Sequence, residues 1–386
     1  MRIGIDVNEI LHGQRAIRRY TLALVRALLQ IQSPHDYRLL YFRFRKPAGA
    51  LPEMSGARSA YKKNPVFFPG RWLVRSWRKF HFPDPSWLMG RLDLFHSTGT
   101  FVPPRGKAPS VVTIHSTAYL HSGDFLDPAY KSWYESLMKW CLENADYFIT
   151  VSETMRLDFL EAFPVAPERV RAIPLGVGTE FYPRARAAVR ARLKTRFGLA
   201  APYFLYVGGI QPHKNVQAVV KAFVSLKKRR RGDLRLVLAG DQPARSGEIL
   251  ELIEKSGFKD QILLTGYLSQ ESEDLAVLYA GAEVFLFPSF WEGWASPPLE
   301  AMASGVPVIA SDIPPFHESL GKAACFVDAN NAEQIGAVAE RFLEDRNLSE
   351  EYRKIGLRRV RDYTWERTAR STLKFYEEIH AKNSRR

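Results

Sequence analysis

Two glutamates, separated by seven residues, stand in the run FLFPSFWEGWASPPLEAMASGVPVIAS, which covers 285–311. The apolar start of this run predicts a buried strand, and Glu292 falls in the loop behind it. Pro297 and Pro298 open a helix at positions that tolerate proline, which places Glu300 in the first helical turn. Carboxylates in such loops commonly accept paired hydrogen bonds from ribose or hexose diols. The plainer interpretation, in which Glu300 complements the helix dipole and Glu292 is a surface residue, does not explain the whole Glu-Gly…Pro-Pro-Leu-Glu pattern.

A second candidate is the loop within YFLYVGGIQPHKN, residues 203–215. A predicted strand runs into Gly208 and Gly209, and His213 and Lys214 then lead into a helix. Glycines permit close approach of the backbone, a helix N-terminus offers unpaired amide groups, and lysine adds a positive charge, which together suit a diphosphate. The spacing matches neither a Walker A loop nor the G-x-G-x-x-G of dinucleotide folds. The alternative is a tight turn with a solvated lysine.

These loops lie in a chain whose strands and helices alternate, which predicts βαβ crossovers and mainly parallel sheets. In the first half the predicted strands are Arg2–Val7, Tyr37–Arg43, Leu92–His96, Ser110–His115 and Ala145–Val151, and the helices are Tyr20–Leu29, Lys131–Glu143 and Ser152–Phe163, with Ser152 as N-cap. In the second half the predicted strands are Pro202–Val207, Leu234–Ala239, Ile262–Thr265, Val284–Pro288 and Val306–Ala310, and the helices are Asn215–Lys228 and Pro298–Ser304. Proline and glycine interrupt the alternation at Pro174–Pro183. The predicted fold class is therefore α/β, with two doubly wound Rossmann-like domains over 1–178 and 179–364.

The composition excludes several classes of protein. The 386 residues are 46% hydrophobic and include only two cysteines, so neither a disulfide framework nor a cysteine-based zinc cluster can form. Histidines and carboxylates show no metal-ligand spacing. No apolar run approaches the roughly 18 residues that span a bilayer, and the first residues are typical of a strand and not of a signal peptide. We expect a soluble, cytoplasmic protein.

The charge is unevenly distributed. Of the formal net charge of +14, +11 falls within residues 1–100, which suggests an anionic partner. Residues 71–82 (RWLVRSWRKFHF) interleave cations with aromatic residues, although on a helix these aromatics do not share one clean face. Docking on an anionic membrane is favoured over a nucleic-acid stacking surface, since no nucleic-acid motif occurs, while ordinary packing stays open. The predicted membrane-facing residues are Arg71, Trp72, Arg75, Trp77, Arg78 and Lys79.

The run EGWASPPLEAMASGVPVIAS resembles the signature of the retaining glycosyltransferases of family 4, also called glycosyl transferases group 1. YVGGIQPHKNVQAVVKAF, GYLSQESEDLAVLYAGAEVFLFPS and YTWERTARSTLKFYEEI are similar to further segments of that family, and DLFHSTGTFVPP and VVTIHSTAYL resemble its acceptor-side loops. The resemblance implies the GT-B architecture, in which two Rossmann-like domains face each other across a cleft. It also implies that the C-terminal helix, 365–386, crosses back onto the first domain.

The resemblance assigns roles to particular residues. Glu300 would bind the ribose hydroxyls, Glu292 the hydroxyls of the donor sugar, and Lys214 the diphosphate. His115 would reach the donor sugar from the first domain. The donor-binding residues are Gly209, His213, Lys214, Glu292, Gly293, Trp294, Ala295, Ser296 and Glu300, where backbone amides around 294–296 hold phosphate. The catalytic residues are His115, Lys214 and Glu292, and the residues on the acceptor side or in the cleft are Arg18, Arg19 and His96. A lone histidine at a strand end is more often structural, and for His96 this alternative is favoured. No metal or other cofactor is implied, because Lys214 and a helix N-terminus stabilise the leaving group.

The chain departs from the family's pattern at several positions. Residues 16–20 read AIRRY where Gly-x-Gly-Arg-Tyr is common, so Arg18 stands where a glycine would let backbone approach the phosphates. Ser116 replaces the usual aspartate after His115, which removes one candidate nucleophile for a double displacement. These changes keep open a second hypothesis, a non-catalytic sugar-nucleotide-binding or scaffold protein. An epimerase or a phosphorylase on the same architecture is a third, although no motif offers a lysine for pyridoxal phosphate.

The leading hypothesis is transfer of a hexose, with mannose from GDP-mannose as the best guess, to a hydroxyl of a glycan or lipid-linked acceptor in polysaccharide or lipopolysaccharide synthesis. The donor's leaving phosphate would deprotonate the incoming hydroxyl on the same face of the sugar. The expected partners are the nucleoside-diphosphate sugar, the acceptor and an anionic membrane surface, without nucleic acid. The expected location is the inner face of the cytoplasmic membrane.

Overall fold

The computed structural model describes residues 1–12, 15–43, 51–99, 102–121, 128–230, 232–241, 247–269 and 272–384. The chain forms two compact units. Unit 1 comprises Met1–Thr117, Asp127–Gly176 and Thr364–Arg386, and unit 2 comprises Ala118–Leu126 and Val177–Tyr363. The predicted domain division lies within two residues of this one at both crossings of the chain, whereas the grouping of Ala118–Leu126 with unit 2 was not anticipated.

Unit 1 contains a seven-stranded sheet in the order β3-β2-β1-β4-β5-β6-β7, and every neighbouring pair is parallel. Its strands are β1 (Arg2–Asp6), β2 (Asp36–Phe42), β3 (Ala60–Val66), β4 (Leu94–Ser97), β5 (Ser110–Ile114), β6 (Tyr147–Thr150) and β7 (Val170–Ala172). Its helices are α1 (Asn8–His12), α2 (Arg15–Gln30), α3 (Gly70–Phe80), α4 (Pro85–Met89), α6 (Pro128–Asn144), α7 (Glu153–Ala162) and α16 (Trp365–Asn383), while α5 (Ala118–His121) is grouped with unit 2. The Ser152 side chain caps α7 by accepting a hydrogen bond from the Met155 amide, as predicted.

The core of unit 1 is completed by the end of the chain. Ile5 on β1, Leu28 on α2 and Tyr376 on α16 are all fully buried in one apolar cluster. The Thr364 hydroxyl caps α16 by accepting a hydrogen bond from the Arg367 amide, so the helix begins where its first apolar residue can pack. Unit 1 therefore depends on residues more than 300 positions apart in sequence.

Unit 2 contains a six-stranded parallel sheet in the order β10-β9-β8-β11-β12-β13. Its strands are β8 (Tyr203–Val207), β9 (Arg235–Ala239), β10 (Ile262–Gly266), β11 (Val284–Phe287), β12 (Val308–Ser311) and β13 (Ala324–Val327). Its further helices are α8 (Arg186–Phe197), α9 (Val216–Arg229), α10 (Gly247–Lys255), α11 (Glu273–Gly281), α12 (Ser296–Ala303), α13 (Pro314–Leu320), α14 (Ala332–Glu344) and α15 (Arg346–Arg359). Two parallel sheets, with strands and helices that alternate along the chain, confirm the predicted α/β fold class. Among the described residues, none of the helices combines the length and the apolar character needed to cross a membrane.

Among the elements that sequence analysis did not predict are β3, β7, β13, α3 and α4. β3 reads AYKKNPV and lies at the edge of the sheet with every residue exposed or partly exposed, so it lacks the apolar run that marks a buried parallel strand. Such an edge tolerates a proline, here Pro65. The sequence of α3 did not predict a helix, because aromatic side chains occur on both faces and no single apolar face is apparent.

His96, predicted on the acceptor side, instead lies in the interior of unit 1. Its side chain is fully buried, with Nδ1 2.5 Å from the Tyr376 hydroxyl and Nε2 2.8 Å from the Thr113 hydroxyl. Both ring nitrogens are therefore engaged by unit 1 itself. The acceptor-side assignment of His96 is wrong, because Tyr376 of α16 covers it, and the alternative of a structural histidine is confirmed.

Gly240 permits a close contact between two loops of unit 2. Its backbone has φ +157°, and a Cβ there would lie 1.8 Å from the carbonyl oxygen of Gly208. The Gly208 amide in turn donates to Ala239 at 2.9 Å. The glycine pair after β8 thus keeps its position because the loop after β9 has no side chain at this point.

We expect Gly240→Ala to destabilise unit 2 by about 1–3 kcal/mol more than Gly232→Ala. Both glycines have positive φ, but a Cβ at Gly232 meets nothing within 4 Å, so the control isolates the collision from the backbone strain. Urea unfolding monitored by fluorescence measures the difference. Equal losses in the two variants would mean that the loops separate without cost.

A second prediction concerns pH. Burial, reinforced by the charge of nearby His115, lowers the pKa of His96 from 6.5 to about 3. The neutral imidazole therefore contributes its full stability above pH 6.5, and this contribution is lost as the pH falls toward 3. Between pH 7 and pH 5 the loss is about 2 kcal/mol.

The melting temperature of the wild type should consequently fall more steeply between pH 7 and pH 5 than that of His96→Gln, whatever the variant's absolute stability. His380→Gln, on the partly exposed side of α16, serves as the control and should keep the wild-type slope. Parallel curves for wild type and His96→Gln would contradict the assignment.

Candidate functional site

Asn215 connects three loops at the carboxyl edge of the unit 2 sheet. It follows the single turn Pro212–Lys214 and adopts the left-handed conformation, with φ 53° and ψ 39°. Its Nδ2 donates to the carbonyl of Pro288 at 3.0 Å and to that of Ala329 at 2.7 Å. Asparagine tolerates this backbone conformation, so one residue both starts α9 and ties the loops after β8, β11 and β13 together.

Lys214 and Glu292 form an ion pair within this arrangement. The Lys214 Nζ lies 2.5 Å from Glu292 Oε1, although 78 residues separate them in sequence. Their side chains are only 20% and 12% exposed, so solvent screens the pair weakly. Sequence analysis predicted both residues but not their direct contact. A partly buried lysine held in this way provides a positioned cation for an anionic ligand.

His213 lies beside the pair. Its carbonyl accepts a hydrogen bond from the Phe290 amide at 2.9 Å, a further link between the two loops. Burial, together with the charge of Lys214 and against that of Glu292, lowers the pKa of the His213 imidazole to about 4. Nδ1 is buried and has no hydrogen-bond partner among the described residues. The neutral ring can therefore exchange a hydrogen bond with a ligand without adding charge.

Glu300 is buried in α12 and only 1% exposed. α12 begins at Ser296 with proline at its tolerated first positions, as predicted, but Glu300 is its fifth residue and lies outside the first turn. The interpretation in which Glu300 complements the helix dipole from the first turn is therefore wrong. Whether this carboxylate receives ribose hydroxyls stays a prediction.

The remaining predicted donor residues are mostly interior. The Trp294 ring packs edge-on against Tyr363 at 5.1 Å, and Gly293 and Ala295 are buried. Ser296 is partly exposed, as is Gly209, whose carbonyl accepts from Tyr206 at 3.1 Å. These contacts fix the backbone of the two loops; the predicted phosphate contacts of that backbone remain untested.

His115 lies at the end of β5 in unit 1 and is partly buried. Its Nε2 is 2.7 Å from the Thr98 carbonyl and therefore donates, which leaves Nδ1 as an acceptor. The ring packs edge-on against Tyr20 at 4.7 Å. Burial lowers the pKa of His115 to about 4, against the raising effect of the Thr98 carbonyl, so the ring is neutral near pH 7. Its predicted contact with the donor sugar is untested.

Most of the predicted cationic residues and one of the two predicted tryptophans are at least partly exposed, as a contact with a partner requires. Arg18 and Arg19 are partly buried on α2. Trp72, Arg75, Arg78 and Lys79 are exposed on α3, whereas the side chain of Arg71 lies outside the described residues. Trp77 was predicted to face a membrane, and this is wrong: it is 2% exposed and packs with Phe42 and Leu73.

Asp6 is a titratable residue that sequence analysis overlooked. It ends β1, is 1% exposed, and accepts hydrogen bonds from the amide and the side chain of Asn8 at 2.9 and 2.5 Å. Burial raises the pKa of Asp6 to about 7, against the Asn8 bonds and with the help of Glu9. The signal available in sequence was an aspartate at the carboxyl end of an otherwise apolar strand.

Comparison with solved structures identifies the class of fold. Sucrose-phosphate synthase from Thermosynechococcus elongatus has a TM-score of 0.74 and 22% identity, covering 99% of this chain and 100% of that one. Anabaena Alr3699/HepE, solved in complex with UDP-glucose, has a TM-score of 0.70 and 14% identity, covering 99% and 100% of the two chains. The two parallel Rossmann-like units therefore have the GT-B fold of these structures.

The sequence agrees with this class. Residues 191–359 match the model of the glycosyl transferases group 1, and residues 17–181 match that of Glycosyltransferase Family 4. The chain thus carries one domain that matches each of these two glycosyltransferase models. The O-antigen chain mannosyltransferase B of Escherichia coli is 26% identical over 383 residues, which is 98% of this chain and all of that protein.

Proposed function

We propose that this protein is a retaining hexosyltransferase whose unit 2 binds the nucleoside-diphosphate sugar. The observation that carries the proposal is the Lys214–Glu292 ion pair at the carboxyl ends of β8 and β11. Ligands of doubly wound sheets bind at such edges. A diphosphate and a sugar are the two ligand groups that a lysine and a glutamate respectively recognise.

Lys214 would bind the diphosphate together with the start of α9. No side chain caps this helix among the described residues, since Asn215 directs its amide nitrogen to the carbonyls of neighbouring loops. The first amides of α9 are thus available to an anion, and the helix dipole favours negative charge there. The two contributions act on the same phosphates and make a bound metal unnecessary in this proposal.

Donor binding would exchange the partner of Lys214. In the structure, Glu292 neutralises the lysine at 2.5 Å. A diphosphate carries more negative charge than one carboxylate and would draw the lysine away, which leaves Glu292 to accept hydrogen bonds from hexose hydroxyls. Glu300 is the proposed ligand of the ribose hydroxyls, and His115 remains the predicted contact of the donor sugar.

In the proposed reaction the bond between the anomeric carbon and the phosphate oxygen breaks, and the acceptor oxygen forms the new bond on the same face. The acceptor's proton passes to the leaving phosphate, so no protein group is permanently changed. The protein supplies position and positive charge, and Lys214 acts most strongly when negative charge develops on that phosphate.

The relatives guide the choice of substrate. The name of the Escherichia coli relative supports mannose as the hexose and a surface polysaccharide as the acceptor. The UDP-glucose of the HepE complex supports the broader class of nucleotide sugars. GDP-mannose with an oligomannoside acceptor is therefore the first pair to test, and UDP-glucose is the comparison donor.

The stereochemical outcome tests the proposal. Purified protein with GDP-mannose and a mannoside acceptor should form an α-mannoside, whose anomeric configuration NMR measures directly, and a chelator should leave the rate unchanged. A β-linked product would contradict retention, and loss of activity with the chelator would contradict metal independence. Binding of nucleotide sugars without transfer to any acceptor would favour the non-catalytic alternative.

Lys214→Ala and Glu292→Gln should change the affinity for a free nucleoside diphosphate in opposite directions. Loss of the lysine removes a charge-assisted contact, about 1.5–3 kcal/mol, and weakens binding by about 10-fold or more. Loss of the carboxylate charge removes the charged competitor for Lys214 and should tighten binding several-fold, although transfer slows because the hexose hydroxyls lose their charged acceptor.

Calorimetry with GDP and UDP measures both changes. Lys221→Ala, an exposed lysine on α9, is the matched control and should bind as the wild type does. If Glu292→Gln weakens nucleoside diphosphate binding as much as Lys214→Ala does, the exchange of partners is refuted.

A further inference from the structure

We propose that the surface formed by α3, α4 and their flanking residues docks onto an anionic lipid bilayer. Of the large apolar side chains that are exposed in the described part of the chain, six lie between residues 67 and 87. These are Phe67, Phe68, Trp72, Phe80, Phe82 and Trp87, and their exposed fractions run from 49% to 76%. We call this set the aromatic surface. A concentration of exposed apolar area on this scale is typical of an interaction site.

Four side chains of the aromatic surface contact one another or a cation. The rings of Phe82 and Trp87 meet edge-on at 5.3 Å. The guanidinium of Arg75 lies 5.3 Å from the Trp72 ring, and the ammonium of Lys79 lies 5.3 Å from the Phe80 ring. Each cation therefore sits beside a ring that can enter the boundary between lipid headgroups and acyl chains.

The packing of α3 explains why these rings stay exposed. The opposite face of the helix is already filled, since Leu73 and Trp77 are buried against Phe42. The Trp77 indole nitrogen also donates to the Pro83 carbonyl at 2.9 Å, and the Ser76 hydroxyl donates to the Phe82 carbonyl at 2.6 Å. Rotation of α3 to bury Trp72 would break these contacts, so the aromatic surface belongs to the folded state.

The charge around the aromatic surface identifies the partner. Residues 54–83 contain seven Lys and Arg and no Asp or Glu. The first carboxylate after them, Asp84, already accepts hydrogen bonds from the backbone amides of Ser86 at 2.7 Å and Lys107 at 2.9 Å. Cations interleaved with Trp and Phe match the two properties of an anionic bilayer, its negative surface and its apolar interior. A nucleic acid would satisfy the cations but would leave most of the apolar area in water.

Vesicle sedimentation of the full chain tests the proposal. Protein should pellet with vesicles of phosphatidylglycerol and phosphatidylcholine at low salt, remain in solution with pure phosphatidylcholine, and be largely released at high salt. Each cation near such a surface contributes about a fivefold factor in affinity. Failure of the wild type to bind anionic vesicles at low salt would overturn the proposal, and binding of single-stranded oligonucleotide instead would assign the surface to nucleic acid.

Charge-reversal variants locate the contact. Arg75→Glu, Arg78→Glu and Lys79→Glu together should reduce binding by about 100-fold or more. The matched control reverses Arg186, Arg190 and Lys194, three exposed cations on one face of α8, with the same change in net charge and an expected effect of less than about fivefold. Equal losses in the two triple variants would overturn the proposal, because binding would then follow net charge alone.

The apolar contribution has its own pair of variants. Trp87→Ser should weaken binding to anionic vesicles several-fold, and Trp133→Ser, at another exposed tryptophan of unit 1 outside the aromatic surface, should not. Melting temperature and nucleoside diphosphate affinity confirm that each variant is folded, and Arg75→Gln, Arg78→Gln and Lys79→Gln together replace the charge-reversal variant if that one is not. Because nucleotide binding is measured separately, failure of this proposal leaves the proposed function untouched. Equal binding by Trp87→Ser and the wild type would contradict the insertion of the ring.

Discussion

The hydrogen bonds of one side chain, Asn215, hold the candidate site of unit 2 together. A parallel sheet brings the ends of its strands to one edge, but it does not fix the loops that follow them. Asn215 does so by donating to Pro288 and Ala329 from a left-handed backbone position. With the loops held in this way, Lys214 and Glu292 come within 2.5 Å. The position of the charged pair therefore depends on an uncharged residue that no sequence motif singles out.

The proposed exchange would give the site two states, with a different partner for the same lysine in each. A lysine in a weakly screened position needs a counter-charge, and Glu292 supplies it in the structure. An anionic ligand would replace that counter-charge and release a carboxylate next to itself. The pair would thus hold back a hydrogen-bond acceptor for hydroxyl groups until a phosphate binds, which a glutamate without the lysine would not do.

The sequence predicted the parts of this protein that depend on local pattern. Alternating apolar runs located most strands, and the Ser152 cap marked the start of α7. Sequence analysis failed where a distant segment decides whether a residue is buried. The environment of His96 depends on Tyr376, 280 residues away in sequence. Trp72 and Trp77 have similar sequence surroundings, but only Trp77 packs against Phe42. The role of Asn215 could not be predicted either, since no sequence motif indicates its hydrogen bonds to the two loop carbonyls.

The uneven charge of the chain has a structural counterpart in what the cations contact. In unit 2, Arg184, Arg192 and Arg196 form ion pairs with Glu273 or Asp274, so their charge is largely neutralised. On α3, Arg75 and Lys79 lie over aromatic rings instead, and a ring attracts a cation without cancelling its charge. The cations of α3 therefore keep their field, whereas those of this cluster in unit 2 are neutralised. Under the membrane proposal, a field that extends from a surface already rich in exposed rings would act on a partner outside the chain, whereas Lys214 would act on a phosphate bound at the sheet edge of unit 2.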